Sequence, residues 1–242
     1  MKSKKIIVAM STKYNLKNES DRIRLKLCIQ TLNNCKKRKI YAVVIETSRD
    51  IKVSNKLKNL TTILIRKKGI SMGEGRRMAI RNAKKAGAEI IILLDPEKED
   101  FIKSINKITD YLIKKDYDII IPERKNFKGY PKFQEHLEKI GNEFWEKITK
   151  TELDMWFGTR VFKKEVANYF LDYKGEYGDL WDINNIPIMR AIKEKKKVGS
   201  IRVNFRYPKT QRDIEKENPT FLRKRIKQLD FLTKCIYEEN EK

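Results

Sequence analysis

Short apolar runs alternate with longer amphipathic stretches through the first half of the chain. Runs rich in β-branched residues predict strands at residues 6–10, 41–45, 62–65, 89–94 and 118–121. Apolar positions spaced three and four residues apart predict helices that open near Ser20 and span 76–85 and 101–114. Strands that alternate with helices indicate a mostly parallel sheet with right-handed crossovers. The pattern therefore predicts a Rossmann-like α/β fold in which the run EIIILL is covered on both faces.

From residue 130 onward the pattern changes to longer helical stretches. HLEKIGNEFWEKI, FKKEVANYFL and IPIMRAI all have helical spacing, and one more strand is predicted at 198–205. A basic amphipathic stretch over 221–237 predicts a helix packed back on the domain. Because no linker or internal repeat separates these parts, we expect one domain over residues 1–242 with a helical C-terminal portion.

Composition narrows the class of protein. The 242 residues are 40% hydrophobic, enough for a sizeable core, and 37% charged with a net charge of +23. The three cysteines have no C-x-x-C spacing, which favours neither a disulfide framework nor a zinc site and suits a reducing cytoplasm. No apolar run approaches a membrane span, so at most peripheral membrane contact is expected. The charge also permits a basic nucleic-acid-binding protein, but it is dispersed and no reader motif is present, so no specific nucleic acid is expected.

Polar residues follow each predicted strand. In open parallel sheets ligands bind outside the carboxyl ends of the strands, so these residues are candidates for a ligand site. After the first three strands they are Ser11, Thr12 and Tyr14, then Glu46, Ser48 and Asp50, then Gly69, Gly73 and Gly75.

Asp95 and Glu97 follow the most buried strand, with Pro96 between them. Two acids at this position are a candidate site for Mg²⁺ or Mn²⁺ bridging the phosphates of a nucleotide. The alternative is that Asp95 caps the next turn and Glu97 is a solvated acid beside Lys98.

The segment Gly73-Glu-Gly-Arg-Arg is predicted to be a glycine-rich loop that opens a helix. Its backbone N–H groups, Gly75, Arg76 and Arg77 could contact a diphosphate. It lacks the third glycine of a dinucleotide fingerprint and the GK[ST] of a P-loop. The alternative is a simple helix cap with both arginines in water.

The histidine and the tryptophans add little to the prediction of function. The single histidine, His136, lies in a polar helical stretch, which argues against a histidine metal site or a Ser-His-Asp triad. Trp145, Trp156 and Trp181 are core candidates, but the last two adjoin polar loops, so sugar stacking stays open for them.

Taken in order, these segments resemble glycosyltransferases of the GT-A fold, specifically the family that includes polyprenyl-phosphate (dolichyl-phosphate) mannose synthases. STKYNLKNE is similar to that family's nucleotide loop, and VIETSRD to its V-D-D-x-S-x-D segment. GEGRRMAIRNAKKAGAEIIILLDPE is similar to its G-x-G helix and the strand leading to a D-x-D metal motif. The resemblance covers roughly residues 5–205.

The downstream segment LDMWFGTRVFKKEV also resembles the family. It places Asp154, Arg160 and Phe162 on motif positions, and the preceding DIIIPER places Arg124. The resemblance implies that Asp154 orients or deprotonates an acceptor hydroxyl and that Arg160 holds it. A buried Asp–Arg structural pair is the alternative.

The sequence departs from this family at three places. Glu97 replaces the second aspartate of D-x-D, and Ile186 stands where an acid is expected, which leaves Asp182 as the substitute candidate. The segment after residue 205 is more similar to soluble enzymes of the mannosylglycerate-synthase type, without their histidine ligand.

The resemblance implies a nucleotide-sugar-dependent hexosyltransferase with a UDP- or GDP-linked donor and a small-molecule or lipid-phosphate acceptor. It divides the chain into a nucleotide-binding part at 1–125, an acceptor-side part at 126–205 and a helical tail at 206–242. Donor-binding candidates are Ser11, Thr12, Glu46, Ser48, Gly75, Arg76, Arg77 and Arg124, with Asp95 and Glu97 as metal ligands. A non-catalytic GT-A-like protein is the alternative, because the D-x-D motif is altered.

Overall fold

Seven strands form one mixed sheet in the computed structural model, which describes residues 4–242. They are β1 (Ile6–Thr12), β2 (Tyr41–Glu46), β3 (Ile63–Arg66), β4 (Ile90–Leu93), β5 (Ile119–Arg124), β6 (Arg160–Lys163) and β7 (Val198–Val203). Their order is β3-β2-β1-β4-β6-β5-β7. All pairs are parallel except those of β6, which runs antiparallel to β4 and β5. The predicted mostly parallel α/β sheet is confirmed.

Helices flank this sheet. Within the described residues they are α1 (Glu19–Lys37), α2 (Ile51–Leu57), α3 (Met72–Lys85), α4 (Ile105–Lys114), α5 (Lys132–Thr149), α6 (Asn168–Asp172), α7 (Ile186–Lys193), α8 (Lys209–Glu215) and α9 (Pro219–Asn240). No helix in this part of the chain combines the length and the apolar character needed to cross a bilayer.

The strand β4 lies between two hydrophobic cores. Ile91 and Leu93 belong to the core on one face, and Ile90 and Ile92 to the core on the other. Burying each such side chain contributes on the order of 2 kcal/mol. An all-apolar strand is stable here because both of its faces are covered, as the sequence predicted.

The start of α3 corrects the predicted glycine-rich loop. Ser71 caps the helix by accepting a hydrogen bond from the Glu74 N–H at 3.0 Å, so Gly73 and Gly75 lie inside the first turn. A Cβ on Gly75 would overlap the Ser11 hydroxyl. These glycines therefore let α3 pack closely on β1, rather than leaving backbone N–H groups open for a diphosphate.

The second half contains two elements, β6 and α8, that the sequence pattern did not predict. FKKEV was predicted to be helical, but its first residues complete β6, where Phe162 pairs with Ile91 of β4. The helix α8 was not predicted. The predicted tail helix is present as α9, which packs against α5 and α7.

Candidate active site

A cavity of about 420 Å³ opens at the carboxyl edge of β1 and β4. These strands are neighbours in the sheet, so Ser11 and Thr12 lie beside the segment that contains Asp95 and Glu97. Arg76 of α3 joins them in the cavity wall. The structure thus brings together five of the residues proposed from the sequence, at the edge where ligands bind in open α/β sheets.

Asp95 is held by two cations of the chain itself. Its Oδ1 lies 2.8 Å from Arg76 Nη2, and its Oδ2 lies 2.7 Å from Lys98 Nζ. Lys98 also donates to the Phe157 carbonyl oxygen. Burial raises the pKa of Asp95, but Lys98 and Arg76 lower it more, so the carboxyl pKa lies well below its usual range.

Glu97 has separate partners. Arg24 Nε of α1 lies 3.1 Å from its Oε1, and the Tyr14 hydroxyl donates to the same oxygen at 3.3 Å. Glu97 is only 8% exposed. It is therefore a buried, ion-paired acid and not the solvated acid of the alternative interpretation.

These contacts do not fit the predicted metal site as it is arranged. Both Asp95 oxygens are engaged, and a Cβ on Gly158 would stand 2.6 Å from Oδ2, so little space remains beside that oxygen. Among residues 4–242 no group of three or more His, Cys, Asp or Glu side chains could hold a metal ion. A divalent cation would have to displace Lys98 from Asp95, or Arg24 from Glu97, before it bound.

Several buried polar atoms in residues that line the cavity have no hydrogen-bond partner in the protein. Buried polar groups are normally paired, so unpaired ones mark a place for a ligand or water. The residues include Asn184 and Asn185, 6% and 1% exposed, together with Thr12, Arg76 and Gln134. Sequence reasoning missed the two asparagines, although adjacent amides before the apolar run IPIM were a signal for them.

Arg77 does not accompany Arg76 into the cavity. It binds Asp179 through both terminal nitrogens, at 2.5 and 2.9 Å, and Glu74 through Nε at 2.8 Å. The structure therefore separates the predicted arginine pair. Arg76 faces the cavity, whereas Arg77 fixes the segment that begins at Asp179.

Glu46 and Ser48 are also turned away from the cavity. The Glu46 carboxylate is fully buried and accepts bonds from the Ser48 N–H at 2.6 Å and the Ser54 hydroxyl at 3.0 Å. Ser48 Oγ accepts from the Tyr14 N–H at 2.8 Å. Their predicted contacts with base and ribose are replaced by loop-stabilising bonds, and Thr47 lines the cavity instead.

Asp154 pairs with Arg124 and not with Arg160. It accepts from Arg124 Nε at 2.7 Å and Nη2 at 2.5 Å, and from Asn142 Nδ2 at 3.0 Å. Arg124 also binds Glu138. The predicted pairing of Asp154 with Arg160 is wrong, and neither Asp154 nor Arg124 lines the cavity. Their acceptor-side and phosphate roles stay predictions.

Arg160 acts through other residues. It is fully buried and donates to the carbonyl oxygens of Asn184 and Met155, each at 2.9 Å, and to Asn185 Oδ1 at 3.0 Å. Burial lowers its pKa to about 9. Met155, Asn184 and Asn185 line the cavity and Arg160 does not, so Arg160 holds the cavity wall from behind.

Asp182 organises the same wall from behind. It is fully buried and accepts from the Tyr173 hydroxyl and from the N–H groups of Asp179 and Leu180. It does not line the cavity, so it does not substitute for the acid absent at Ile186.

Aromatic and basic residues complete the cavity. Trp156 and Trp181 line it, whereas Trp145 is fully buried in the core. Lys224 and Arg225 of α9 also line it. The tail helix was predicted to pack on the domain, but its contribution to the site was not predicted.

Comparison with known proteins identifies the fold. No protein-family model and no curated sequence matches the chain. A glucosyl-3-phosphoglycerate synthase of Mycobacterium tuberculosis, solved with Mn²⁺, UDP and glucosyl-3-phosphoglycerate, is similar in structure with a TM-score of 0.64 at 7% identity, over 98% of this chain and 78% of that one. A Desulfovibrio desulfuricans G20 protein provisionally named a nucleotide-diphospho-sugar transferase has a TM-score of 0.54 at 13% identity, over 97% and 99%.

A synthetase solved with CTP shares the same architecture. The CMP:2-keto-3-deoxy-manno-octonic acid synthetase complexed with CTP has a TM-score of 0.55 at 11% identity, over 94% of this chain and 99% of that one. The chain therefore has the GT-A-like fold of nucleotide-diphospho-sugar transferases, as the sequence resemblance implied. At these identities the likeness establishes the fold alone.

Proposed function

We propose that this chain is a glycosyltransferase that moves a hexose from a UDP- or GDP-linked donor to an acceptor hydroxyl. The observation that supports this most is a pair of cations, Arg76 and Lys98, that both contact Asp95. They lie beside Ser11 and Thr12 at the carboxyl edge of the sheet. Fixed cations at this edge suit a diphosphate, and the adjoining hydroxyls suit a nucleoside.

Each wall of the cavity has a separate role in this proposal. The diphosphate lies against Arg76, whose Nη1 has no protein partner, and against Lys98. The sugar lies toward the unpaired amides of Asn184 and Asn185 and the indole of Trp181. In the reaction the acceptor oxygen bonds to the anomeric carbon, the hydroxyl proton is released to water, and the bond from that carbon to the diphosphate oxygen breaks. Arg76 and Lys98 stabilise the negative charge that develops on the leaving nucleoside diphosphate.

The acceptor enters from the side of α9 in this proposal. Lys224 and Arg225 line that side, which suits an acceptor bearing phosphate or carboxylate, whether a small molecule or a lipid phosphate. The metal proposed from the sequence stays a prediction. Similar structures were solved with Mn²⁺ or Mg²⁺, but here the two acids must first release their cations.

Nucleotidyl transfer is the second candidate, because a synthetase solved with CTP shares the fold over nearly the full length of both chains. One experiment separates the two functions. The protein is incubated with UDP-, GDP- and CDP-sugars, or with nucleoside triphosphates and a sugar acid or sugar phosphate. Release of a nucleoside diphosphate from a nucleotide sugar supports glycosyl transfer. Release of pyrophosphate from a triphosphate supports the alternative, and binding of none of these compounds contradicts both.

A further inference from the structure

We propose that the Lys98 ammonium supplies the counter-charge to the donor diphosphate that a divalent cation would otherwise supply, so that donor binding needs no metal. This inference rests on the proposed function and adds the residue that replaces the ion. Lys98 was not singled out by the sequence motifs, which drew attention only to the two acids beside it.

The surroundings of Lys98 Nζ are those of a bound cation. It lies 2.7 Å from Asp95 Oδ2, donates to the Phe157 carbonyl oxygen and sits 4.2 Å from the centre of the Phe157 ring. Carboxylate and backbone carbonyl oxygens are also the ligands that hard metal ions take. The Lys98 side chain is only 12% exposed, and Lys98 lines the cavity.

The turn that presents the carbonyl is adapted to this contact. Gly158 follows Phe157 with a φ of +82°, in the left-handed region that glycine adopts without strain. A side chain at Gly158 would also press on Asp95 Oδ2 and approach Lys98 Nζ. The glycine therefore allows Asp95, Lys98 and the Phe157 carbonyl to meet at one point.

The charge balance supports the same conclusion. The charged residues that line the cavity include more cations than carboxylates. Six are cations (Lys13, Arg24, Arg76, Lys98, Lys224 and Arg225) and three are carboxylates (Asp95, Glu97 and Glu138), so the wall has a net charge of +3 before any ligand enters. A donor diphosphate brings the negative charge that this arrangement lacks. A divalent ion would instead add two positive charges to a cavity that is already positive.

Calorimetric titration of UDP and GDP tests the inference. Wild-type protein, Lys98→Met, Lys98→Arg and Lys103→Met are each titrated in EDTA and again in Mn²⁺. Lys103 is the matched control, because it makes the same i, i+3 contact of 2.7 Å with Asp100 but is 67% exposed and lies outside the cavity. Thermal melting of each variant confirms that it is folded.

We expect the wild-type protein to bind one of the two nucleotides in EDTA, with no more than about a threefold gain from Mn²⁺. Lys98→Met should weaken this binding at least about tenfold, since a charge-assisted contact is lost. Lys98→Arg should recover most of the loss, and Lys103→Met should bind like the wild type.

Three results would overturn the inference. Wild-type binding that disappears in EDTA and returns with Mn²⁺ would show that a metal is needed, and would leave the proposed function standing. A folded Lys98→Met variant that binds like the wild type would show that the ammonium does not contribute. Binding of neither nucleotide in either condition would contradict this inference and the proposed function together.

Discussion

Two buried ionic clusters lie near each other in this fold and differ in how completely their members are paired. The closed cluster consists of Arg124, Asp154, Glu138 and Asn142. The Arg124 guanidinium binds both carboxylates and lies 4.3 Å from the centre of the Phe127 ring. Of this cluster only Glu138 reaches the cavity wall.

The cavity cluster consists of Arg24, Arg76, Asp95, Glu97 and Lys98, all of which line the cavity. Here Arg76 Nη1 has no partner, and the Asp95 side chain remains 29% exposed. A cluster with every group paired stabilises the fold, whereas one with open positions can exchange its partners for a ligand. The comparison predicts that the closed cluster determines stability and that the cavity cluster determines binding.

The largest expected effect is on stability, in Arg124→Met. This change leaves Asp154 and Glu138 as buried carboxylates without their cation, which typically costs about 3–5 kcal/mol. We expect the melting temperature to fall by on the order of 10 °C. Arg202→Met is the control, because Arg202 pairs with Glu123 at 3.0 Å but is 74% exposed. Similar melting of the two variants would contradict a structural role for the closed cluster.

A smaller effect is expected from Asp154→Asn in acid. Burial raises the pKa of Asp154, but Arg124 lowers it more, so the folded-state pKa lies below the unfolded value of about 3.9. The carboxylate therefore stabilises the fold above about pH 4, and this contribution is lost as the pH falls through the folded-state pKa. Melting temperatures measured from pH 6 to pH 2.5 should fall less steeply for Asp154→Asn than for the wild type. Equal slopes would mean that the carboxylate is not ion-paired in the fold.

The smallest effect is expected from Gly75→Ala. The added methyl group has to move the Ser11 hydroxyl, which lines the cavity. Donor binding should weaken by about 1 kcal/mol, roughly fivefold. The free energy of unfolding should change little, because the higher helix propensity of alanine, about 1 kcal/mol, offsets the cost of moving the hydroxyl. In the Ser11→Ala background the same change should have less effect on binding. An undiminished effect there would show that Gly75→Ala does not weaken binding by moving the Ser11 hydroxyl.

Much of the sheet was predictable because its central strands β1, β2 and β4 consist mainly of buried apolar residues. The strand β6 was not predictable, because four residues are too few to separate a period of two from a helical period. Its antiparallel insertion between β4 and β5 also depends on distant pairing. The start of α3 was misplaced because glycine has a low helix propensity, which here is outweighed by the Ser71 cap and the packing on β1.

The position of the site was predictable, but the partners within it were not. Ser11, Thr12 and Asp95 were placed together because parallel strands end at one edge. Glu97 pairs with Arg24, which lies on a helix more than seventy residues earlier in the chain. No local sequence pattern could predict that ion pair.

The partner of Asp154 in the acceptor-side motif was not predictable for a similar reason. Motif spacing does not show which way a side chain points, and Asp154 points to Arg124 at the end of β5. Arg160, six residues later, instead supports the backbone of the asparagine segment. Neither residue lines the cavity, and their roles toward an acceptor stay predictions.

Calorimetry of donor binding to Arg76→Met tests whether the cavity cluster is the donor site. The titrant is the nucleotide sugar that binds best in a panel of UDP-, GDP- and CDP-sugars, and melting is measured on the same samples. We expect binding at least about tenfold weaker, since Arg76 is proposed to contact the diphosphate, with a melting temperature within about 2 °C of the wild type. Unchanged binding, or a loss of binding that only follows a loss of folded protein, would contradict the claim that the cavity cluster is the donor site.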